Sequence, residues 1–132
     1  MRIFIDTSAF YALLDRDDEN HRRAKSTRTD LLNNENTLVT SNYVLVETFA
    51  LLQHRLGMEA VRGFQSDVVP LVNIEFVLSE IHRSAVSALL SASRRNLSLV
   101  DCVSFETMRT LEIKTAFVFD PHFKEQGFDR LP

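Results

Sequence analysis

The stretch Arg2-Ile3-Phe4-Ile5-Asp6-Thr7-Ser8 decides how the chain folds. Three consecutive apolar residues with a polar residue on either side predict a short strand buried on both faces. The residues from Thr7 to Leu14 then favour a helix. Asp6 therefore lies where a central strand ends and a helix begins, the edge of an open α/β sheet at which ligands bind. Aspartate is also a common helix N-cap, so Asp6 alone does not separate a structural role from a functional one.

Length and composition indicate a single globular domain. With 132 residues, 45% of them apolar, the chain can bury about two-thirds of its unfolded surface around one core. It has no repeat or linker, so we assign residues 1–132 to one domain. We find neither an apolar run of the roughly 20 residues that span a membrane nor a signal peptide, and we expect a cytoplasmic protein without membrane contact. The net charge of −3 decides nothing about nucleic-acid binding. The single cysteine, Cys102, is predicted to be a small buried residue.

Hydrophobic periodicity and end signals divide the chain into alternating strands and helices. After the first helix we expect helices over residues 21–32, 42–56, 58–69, 81–92 and 98–111. Further strands are expected over residues 37–40, 72–76, 115–119 and 128–131, the third and the last of the five at sheet edges. In the helix over 58–69 we expect Met58, Val61, Phe64 and Val68 to point inward, and in the next helix Ile81, Ala85, Ala88, Leu89 and Ala92. This alternation predicts an α/β fold with a parallel sheet.

Glu47 is the most unusual acid of the sequence. It is the only charge between Tyr43 and Leu52, a run so apolar on all sides that we expect an enclosed helix. A carboxylate in such surroundings costs several kcal/mol unless it is protonated, paired or bound to a cation. A buried Arg–Glu pair and a cation site both satisfy this requirement.

Two further acids have ordinary structural explanations. Ser98-Leu99-Val100-Asp101 has the pattern of a capping box, and Asp120-Pro121 that of a helix start with Asp at the N-cap and Pro at the first helical position. The topology nevertheless gives them a common location. In a parallel sheet the connecting helices run opposite to the strands, so they all begin at the carboxyl edge. Four acids should converge there, namely Asp6, Glu47, Asp101 and Asp120.

Four converging carboxyl groups predict a divalent cation, because like charges destabilise the fold unless something positive joins them. Mg²⁺ or Mn²⁺ binds oxygen ligands and pairs naturally with carboxylates and a substrate phosphate. Such a site suits metal-assisted hydrolysis of phosphodiesters. The four histidines (His21, His54, His82 and His122) show no spacing that suggests a zinc site.

The order and spacing of these motifs resemble those of the PIN domains, especially the small VapC-like ribonucleases. The matching segments are Ile3–Ser8, Val46-Glu47, Leu97–Asp101 and Phe119–Phe123 with Gly127-Phe128 after it, and His21-Arg22-Arg23-Ala24 matches a segment in which the histidine is mainly structural. The resemblance implies a three-layer α/β/α fold with a small, mostly parallel sheet. It also implies a divalent-metal-dependent endoribonuclease, either a stand-alone enzyme or the toxin of a toxin–antitoxin pair.

The resemblance assigns roles and partners as well. Asp6 and Asp101 would be the first metal ligands, Glu47 and Asp120 would complete the catalytic pocket, and Ser8 would support it by hydrogen bonding. The implied partners are an RNA substrate, an antitoxin protein and a second copy of the chain in a homodimer. The candidate RNA contacts are two groups of basic residues, Arg22, Arg23, Lys25 and Arg28, and Arg94 and Arg95. Any one of them fits a solvated face equally well.

Three other protein classes also begin with a strand followed by an aspartate, and the sequence argues against each of them. A haloacid-dehalogenase-type phosphatase needs a second Asp two residues further on, where this chain has Ser8. A receiver domain needs an acid pair at the end of its first strand, and Asp6 stands alone. The third class, a PIN-like module that binds RNA without cutting it, has no use for four mutually repelling acids.

Overall fold

The computed structural model describes all residues, 1–132, and contains one five-stranded sheet. The strands are β1 (Arg2–Ile5), β2 (Thr37–Ser41), β3 (Asn73–Glu75), β4 (Thr115–Phe117) and β5 (Asp129–Leu131). The helices are α1 (Thr7–Leu14), α2 (His21–Asn33), α3 (Asn42–Arg55), α4 (Met58–Gly63), α5 (Ser79–Ala92), α6 (Leu99–Leu111) and α7 (His122–Glu125). A π-helical turn (Phe64–Val68) and a 3₁₀ turn (Val69–Leu71) lie between α4 and β3. No helix is both long and apolar enough to cross a membrane.

Strand β1 is the centre of the sheet, whose order is β3-β2-β1-β4-β5. All four strand pairs are parallel, so the expected mostly parallel sheet is entirely parallel. In register, Ile3 lies between Leu38 of β2 and Thr115 of β4. Because strands flank β1 on both sides and helices cover both faces, its apolar residues are at most 1% exposed. The prediction of a central strand ending at Asp6 is confirmed.

The helices form two layers, as right-handed crossovers between parallel strands require. On one face, the Phe64 ring packs edge-on against Phe10 of α1 and Phe49 of α3, with ring centroids 5.0 and 5.4 Å apart. On the other face, Phe105 of α6 packs against Phe123 of α7, with ring centroids 5.0 Å apart. The three-layer α/β/α architecture is therefore confirmed.

Helix α3 is less enclosed than its apolar sequence predicts. Val44, Leu45 and Leu52 are buried, but Val46 is 70% exposed and Ala50 is exposed as well. An apolar run indicates which side chains could be buried, but neighbouring elements decide which of them are covered. The prediction of an enclosed helix is wrong on this outer face.

The segment expected as one helix over 58–69 is interrupted. Its first part is α4, after which Val69 donates its N–H to the Phe64 carbonyl in a π-helical turn. Pro70, which has no N–H, follows in the 3₁₀ turn and ends the helical segment. Phe64 is fully buried as expected, whereas Met58 is 45% exposed.

In α5 the buried face is narrower than the sequence predicts. Ala85 is buried as expected, but Ala88 and Ala92 are exposed.

Both predicted edge strands, β3 and β5, are confirmed at the two ends of the sheet. Strand β4 ends at Phe117, two residues earlier than predicted. Phe119 leaves the strand ladder because its backbone N–H donates to Ser8 Oγ, 3.0 Å away. This early departure brings the chain around Asp120 over the carboxyl end of β1.

Candidate active site

The carboxyl edge of the sheet brings the four predicted acids together. Asp6 ends β1, Asp120 follows β4, and helices α3 and α6 carry Glu47 and Asp101 close to their N-termini. The negative charges of Asp101 and Glu47 both raise the pKa of Asp6. No lysine or arginine forms a salt bridge with any of the four acids. The alternative of a buried Arg–Glu pair at Glu47 is therefore wrong.

Asp6 is the most buried of the four carboxyl groups, with only 4% exposure. It caps α1, since its Oδ2 accepts the Ser8 N–H at 3.5 Å, while its Oδ1 is buried and has no hydrogen-bond partner. Burial, followed by the charges of Asp101 and Glu47, raises its pKa to about 7. The cap is thus real, yet one oxygen of the same carboxyl group is left free for another partner.

Ser8 links the two chain segments that carry Asp6 and Asp120. Its hydroxyl donates to Asp6 Oδ2 over 3.4 Å and accepts the backbone N–H of Phe119, the residue before Asp120, at 3.0 Å. The first of these bonds is long and therefore weak. The Ser8 hydroxyl thus contacts both segments, and its supporting role at a catalytic pocket stays a prediction.

Asp101 combines the expected capping box with a place at the site. Its backbone N–H donates to Ser98 Oγ at 3.0 Å, and its Oδ2 accepts the Ser98 backbone N–H at 3.1 Å. Burial raises the pKa of Asp101, the hydrogen bond from the Ser98 backbone opposes this rise, and the charge of Asp120 adds to it. The cap therefore fixes the orientation of a carboxyl group that is buried beside another one.

Glu47 is half-buried and faces the other acids. Burial is the main cause that raises its pKa, a hydrogen bond with Thr7 lowers it, and the charges of Asp101 and Asp120 raise it further. Of the four acids it is the one that combines partial solvent access, a raised pKa and no salt bridge. A half-exposed carboxyl group with a raised pKa is a better proton acceptor than an ordinary glutamate.

Asp120 turns the chain into α7 somewhat differently from the prediction. The helix begins at His122, so Pro121 precedes it instead of occupying the first helical position. Asp120 Oδ1 accepts the backbone N–H of His122 at 2.8 Å, which is a local turn of the kind that Asp favours.

His122 belongs to the site, although sequence reasoning missed it. Its Nδ1 lies 2.8 Å from Asp120 Oδ1 and 4.0 Å from Asp101 Oδ2. One ligand atom from each of Asp101, Asp120 and His122 can be chosen so that all lie within 4.8 Å of one another. The spacing of the four histidines gave no signal, because the contact joins His122 to acids and not to another histidine. The available signal was the Asp-x-His spacing directly after a strand.

The predicted basic residues fall into different environments. The Arg23 guanidinium lies 5.6 Å from the ring centroid of Phe119, the residue before Asp120. Arg94 is paired with Glu125 at 3.1 Å, and Arg28 is half-buried. The remaining candidates, Arg22, Lys25 and Arg95, are exposed without a salt bridge.

Two further contacts involve Arg130 and His21. Arg130, which sequence reasoning did not select, donates to the Phe119 carbonyl at 3.3 Å, so that Phe119 is held by arginines from two directions. His21 Nδ1 lies 2.8 Å from the Ala12 carbonyl and ties α2 to α1. That contact is the mainly structural role expected for His21.

Comparisons with known proteins agree with this arrangement. A sequence profile of the PIN domain matches residues 3–129. The 23S rRNA-specific endonuclease VapC20 of Mycobacterium tuberculosis is 35% identical over 127 residues, which cover 96% of this chain and 95% of VapC20. The crystal structure of VapC20, described as a sarcin–ricin-loop-cleaving toxin, matches with a TM-score of 0.83 at 34% identity over 96% of this chain and 95% of that one.

Two less similar solved structures share the fold. VapBC2 from Rickettsia felis, bound to a DNA fragment from its promoter, matches with a TM-score of 0.73 and 13% identity over 98% of this chain and 97% of that one. FitAcB from Neisseria gonorrhoeae matches with a TM-score of 0.70 and 14% identity, and the match covers 100% of this chain and 97% of that one. At such identities the likeness concerns the fold alone.

Replacing Asp6 by asparagine should flatten the pH dependence of stability in the metal-free protein. Folded Asp6 keeps its proton up to about pH 7, whereas its ordinary pKa is 3.8. The folded state therefore binds more protons between about pH 4 and 7, so the free energy of unfolding falls as the pH rises through this window. Asparagine keeps the cap and removes this loss, which amounts to about 4 kcal/mol at most.

Urea denaturation in EDTA at several pH values measures this difference, with Asp67→Asn as the control. Asp67 is an exposed acid in the π-helical turn that precedes β3, and its charge is not among those that shift the pKa of Asp6, Glu47 or Asp101. If Asp6→Asn instead costs more than about 2 kcal/mol at neutral pH, the upper limit for a lost cap, then Asp6 is a structural residue.

Proposed function

This chain belongs to the PIN-domain family, and we propose that it is an endoribonuclease that hydrolyses RNA with a divalent cation held at the acidic edge of its sheet. Family membership rests on the PIN profile over residues 3–129 and on the 35% identity to a 23S rRNA-specific endonuclease. The observation that carries the catalytic assignment is the convergence of Asp6, Glu47, Asp101 and Asp120 without any lysine or arginine partner.

The residues at this edge fit a divalent cation. Asp6 Oδ1 is buried without a hydrogen-bond partner, although burying an unsatisfied polar atom is costly. The donors are mainly carboxylate oxygens, which Mg²⁺ and Mn²⁺ prefer. Asp6 and Asp101 would hold the cation, and Asp120 lies close enough to Asp101 to join them. When bound, the cation would polarise a phosphate and make an attacking water more acidic.

The chain's own side chains would hold the carboxyl groups in place and accept the proton of the attacking water. Ser98 holds the Asp101 carboxyl group through the capping box, and Ser8 holds that of Asp6. Glu47 is the half-exposed carboxyl group with a raised pKa, so it is our candidate to accept the proton of the attacking water.

We infer the substrate and partners from the relatives. VapC20 is described as a toxin that cleaves the sarcin–ricin loop. A structured loop of ribosomal RNA is therefore the substrate class that we propose for this chain, and an antitoxin protein is the partner that we propose. The homodimer and the cytoplasmic location expected from the sequence remain predictions.

The rival functions have less support. A phosphatase of another α/β family is not compatible with membership of the PIN-domain family. A PIN-like module that only binds RNA would not need Asp6 to be buried beside two other acids at a raised pKa.

Asp101→Asn should lower the rate of RNA cleavage by about a hundredfold or more, the scale on which loss of a group that stabilises the transition state acts. The measurement is the cleavage of a sarcin–ricin-loop hairpin RNA in Mg²⁺ or Mn²⁺, followed on a denaturing gel. EDTA should abolish cleavage by the wild type. RNA binding by Asp101→Asn should persist, because the acid repels the phosphate backbone instead of attracting it.

The matched control for this assay is again Asp67→Asn, which removes one exposed negative charge that does not perturb the pKa of Asp6, Glu47 or Asp101. Its rate should equal that of the wild type. Cleavage that survives EDTA, or that is equal in wild type and Asp101→Asn, would refute the metal-dependent nuclease.

Arg23→Ala should weaken RNA binding across sequences and lower its salt dependence by about one counterion. Among the candidate basic residues, Arg23 is the one that contacts Phe119 beside Asp120. Filter binding at several salt concentrations measures the slope, with the catalytically inactive Asp101→Asn as the background to prevent cleavage. Arg62→Ala is the control, since Arg62 is an exposed arginine of α4 paired with Glu59. An unchanged slope would mean that Arg23 only packs on Phe119.

A further inference from the structure

His122 carries a nitrogen that the fold leaves without a partner. The residue is only 9% exposed, and its Nδ1 is buried and makes no hydrogen bond. Burying an unsatisfied imidazole nitrogen is unfavourable, so such atoms usually have a bound partner. This nitrogen lies between two carboxyl groups, 2.8 Å from Asp120 Oδ1 and 4.0 Å from Asp101 Oδ2.

An ion pair with Asp120 does not account for this position. Although Nδ1 is close to Asp120 Oδ1, the ring and the carboxyl group approach without the angle of a hydrogen bond. The same oxygen already accepts the backbone N–H of His122 at 2.8 Å. The backbone contact, and not the ring, thus holds Asp120, and Nδ1 remains without a hydrogen bond although it lies within 4.0 Å of both carboxyl groups.

The donor atoms have the separations of ligands around one ion. Ligands at about 2.1 Å from an octahedral cation lie about 3.0 Å apart when adjacent and about 4.2 Å apart when opposite. One ligand atom from each of Asp101, Asp120 and His122 fits within 4.8 Å of the others. Asp6 Oδ1, also buried and unpartnered, is a second atom at the same edge that lacks a partner.

We propose that His122 is a direct metal ligand together with Asp101 and Asp120, and that it makes the site prefer a first-row transition dication such as Mn²⁺ over Mg²⁺. Imidazole is a ligand of transition metals, whereas Mg²⁺ is bound by oxygen donors and retains much of its water. The inference rests on the proposed function, because it concerns the cation of the same site. It adds a nitrogen ligand and a choice of metal, neither of which the four acids alone determine.

The direct test uses Mn²⁺ as the probe in the intact wild-type chain. Pulsed electron paramagnetic resonance of bound Mn²⁺ should detect the coupling of one directly coordinated ¹⁴N nucleus. This readout needs neither RNA nor a variant. Bound Mn²⁺ without any ¹⁴N coupling would overturn the inference and leave the proposed function intact. Failure to bind either Mn²⁺ or Mg²⁺ would overturn both.

Affinities of the His122→Asn variant provide the second measurement. Calorimetric titration should show that the variant loses at least about tenfold in Mn²⁺ affinity, the lower limit even for loss of a group that only supports a ligand. Its Mg²⁺ affinity should change much less, so the preference for Mn²⁺ should shrink. His54→Asn is the control, because His54 is exposed in the last turn of α3 and should have no effect. An equal loss for both cations would mean that His122 only orients Asp120.

Discussion

The burial of the Asp6 carboxyl group beside other carboxyl groups is the constraint on which the site depends. The buried central strand leaves Asp6 with 4% exposure, and its pKa rises to about 7 because it is buried and close to Asp101 and Glu47. Such an arrangement destabilises the folded protein unless a proton or a cation joins it. The clustered carboxyl groups therefore lower the stability of the folded protein at this edge, and binding of a cation would relieve this destabilisation.

The parallel sheet explains why ordinary local signals combine into a site. Asp6 is an N-cap and Asp101 belongs to a capping box, and both roles are present in the structure. Each cap uses part of its carboxyl group, while the orientation of the helices brings both groups to the same edge. The same residues thus stabilise helix starts and belong to the candidate site, with the caps holding the carboxyl groups in position.

The sequence predicted those parts of the site that depend on local order. The strand that ends at Asp6 and the capping box of Asp101 are encoded by neighbouring residues, and both are confirmed. The exposure of Val46 could not be predicted, because it depends on which elements fail to cover α3. His122 was missed because the Asp-x-His spacing was not used and because its approach to Asp101 joins α7 to α6, elements that β4 separates in the chain. No periodicity within one segment reports such a contact.

The pKa of Asp6, measured with and without Mg²⁺, tests this account most directly. The carboxyl carbon of Asp6 can be followed by NMR in a ¹³C-labelled protein as the pH is changed. We predict a midpoint of about 7 in the absence of cations and a midpoint shifted well toward acid in saturating Mg²⁺, because the cation favours the charged carboxylate. A midpoint near the ordinary value of about 4 without cations, or one that saturating Mg²⁺ leaves unchanged, would contradict the account.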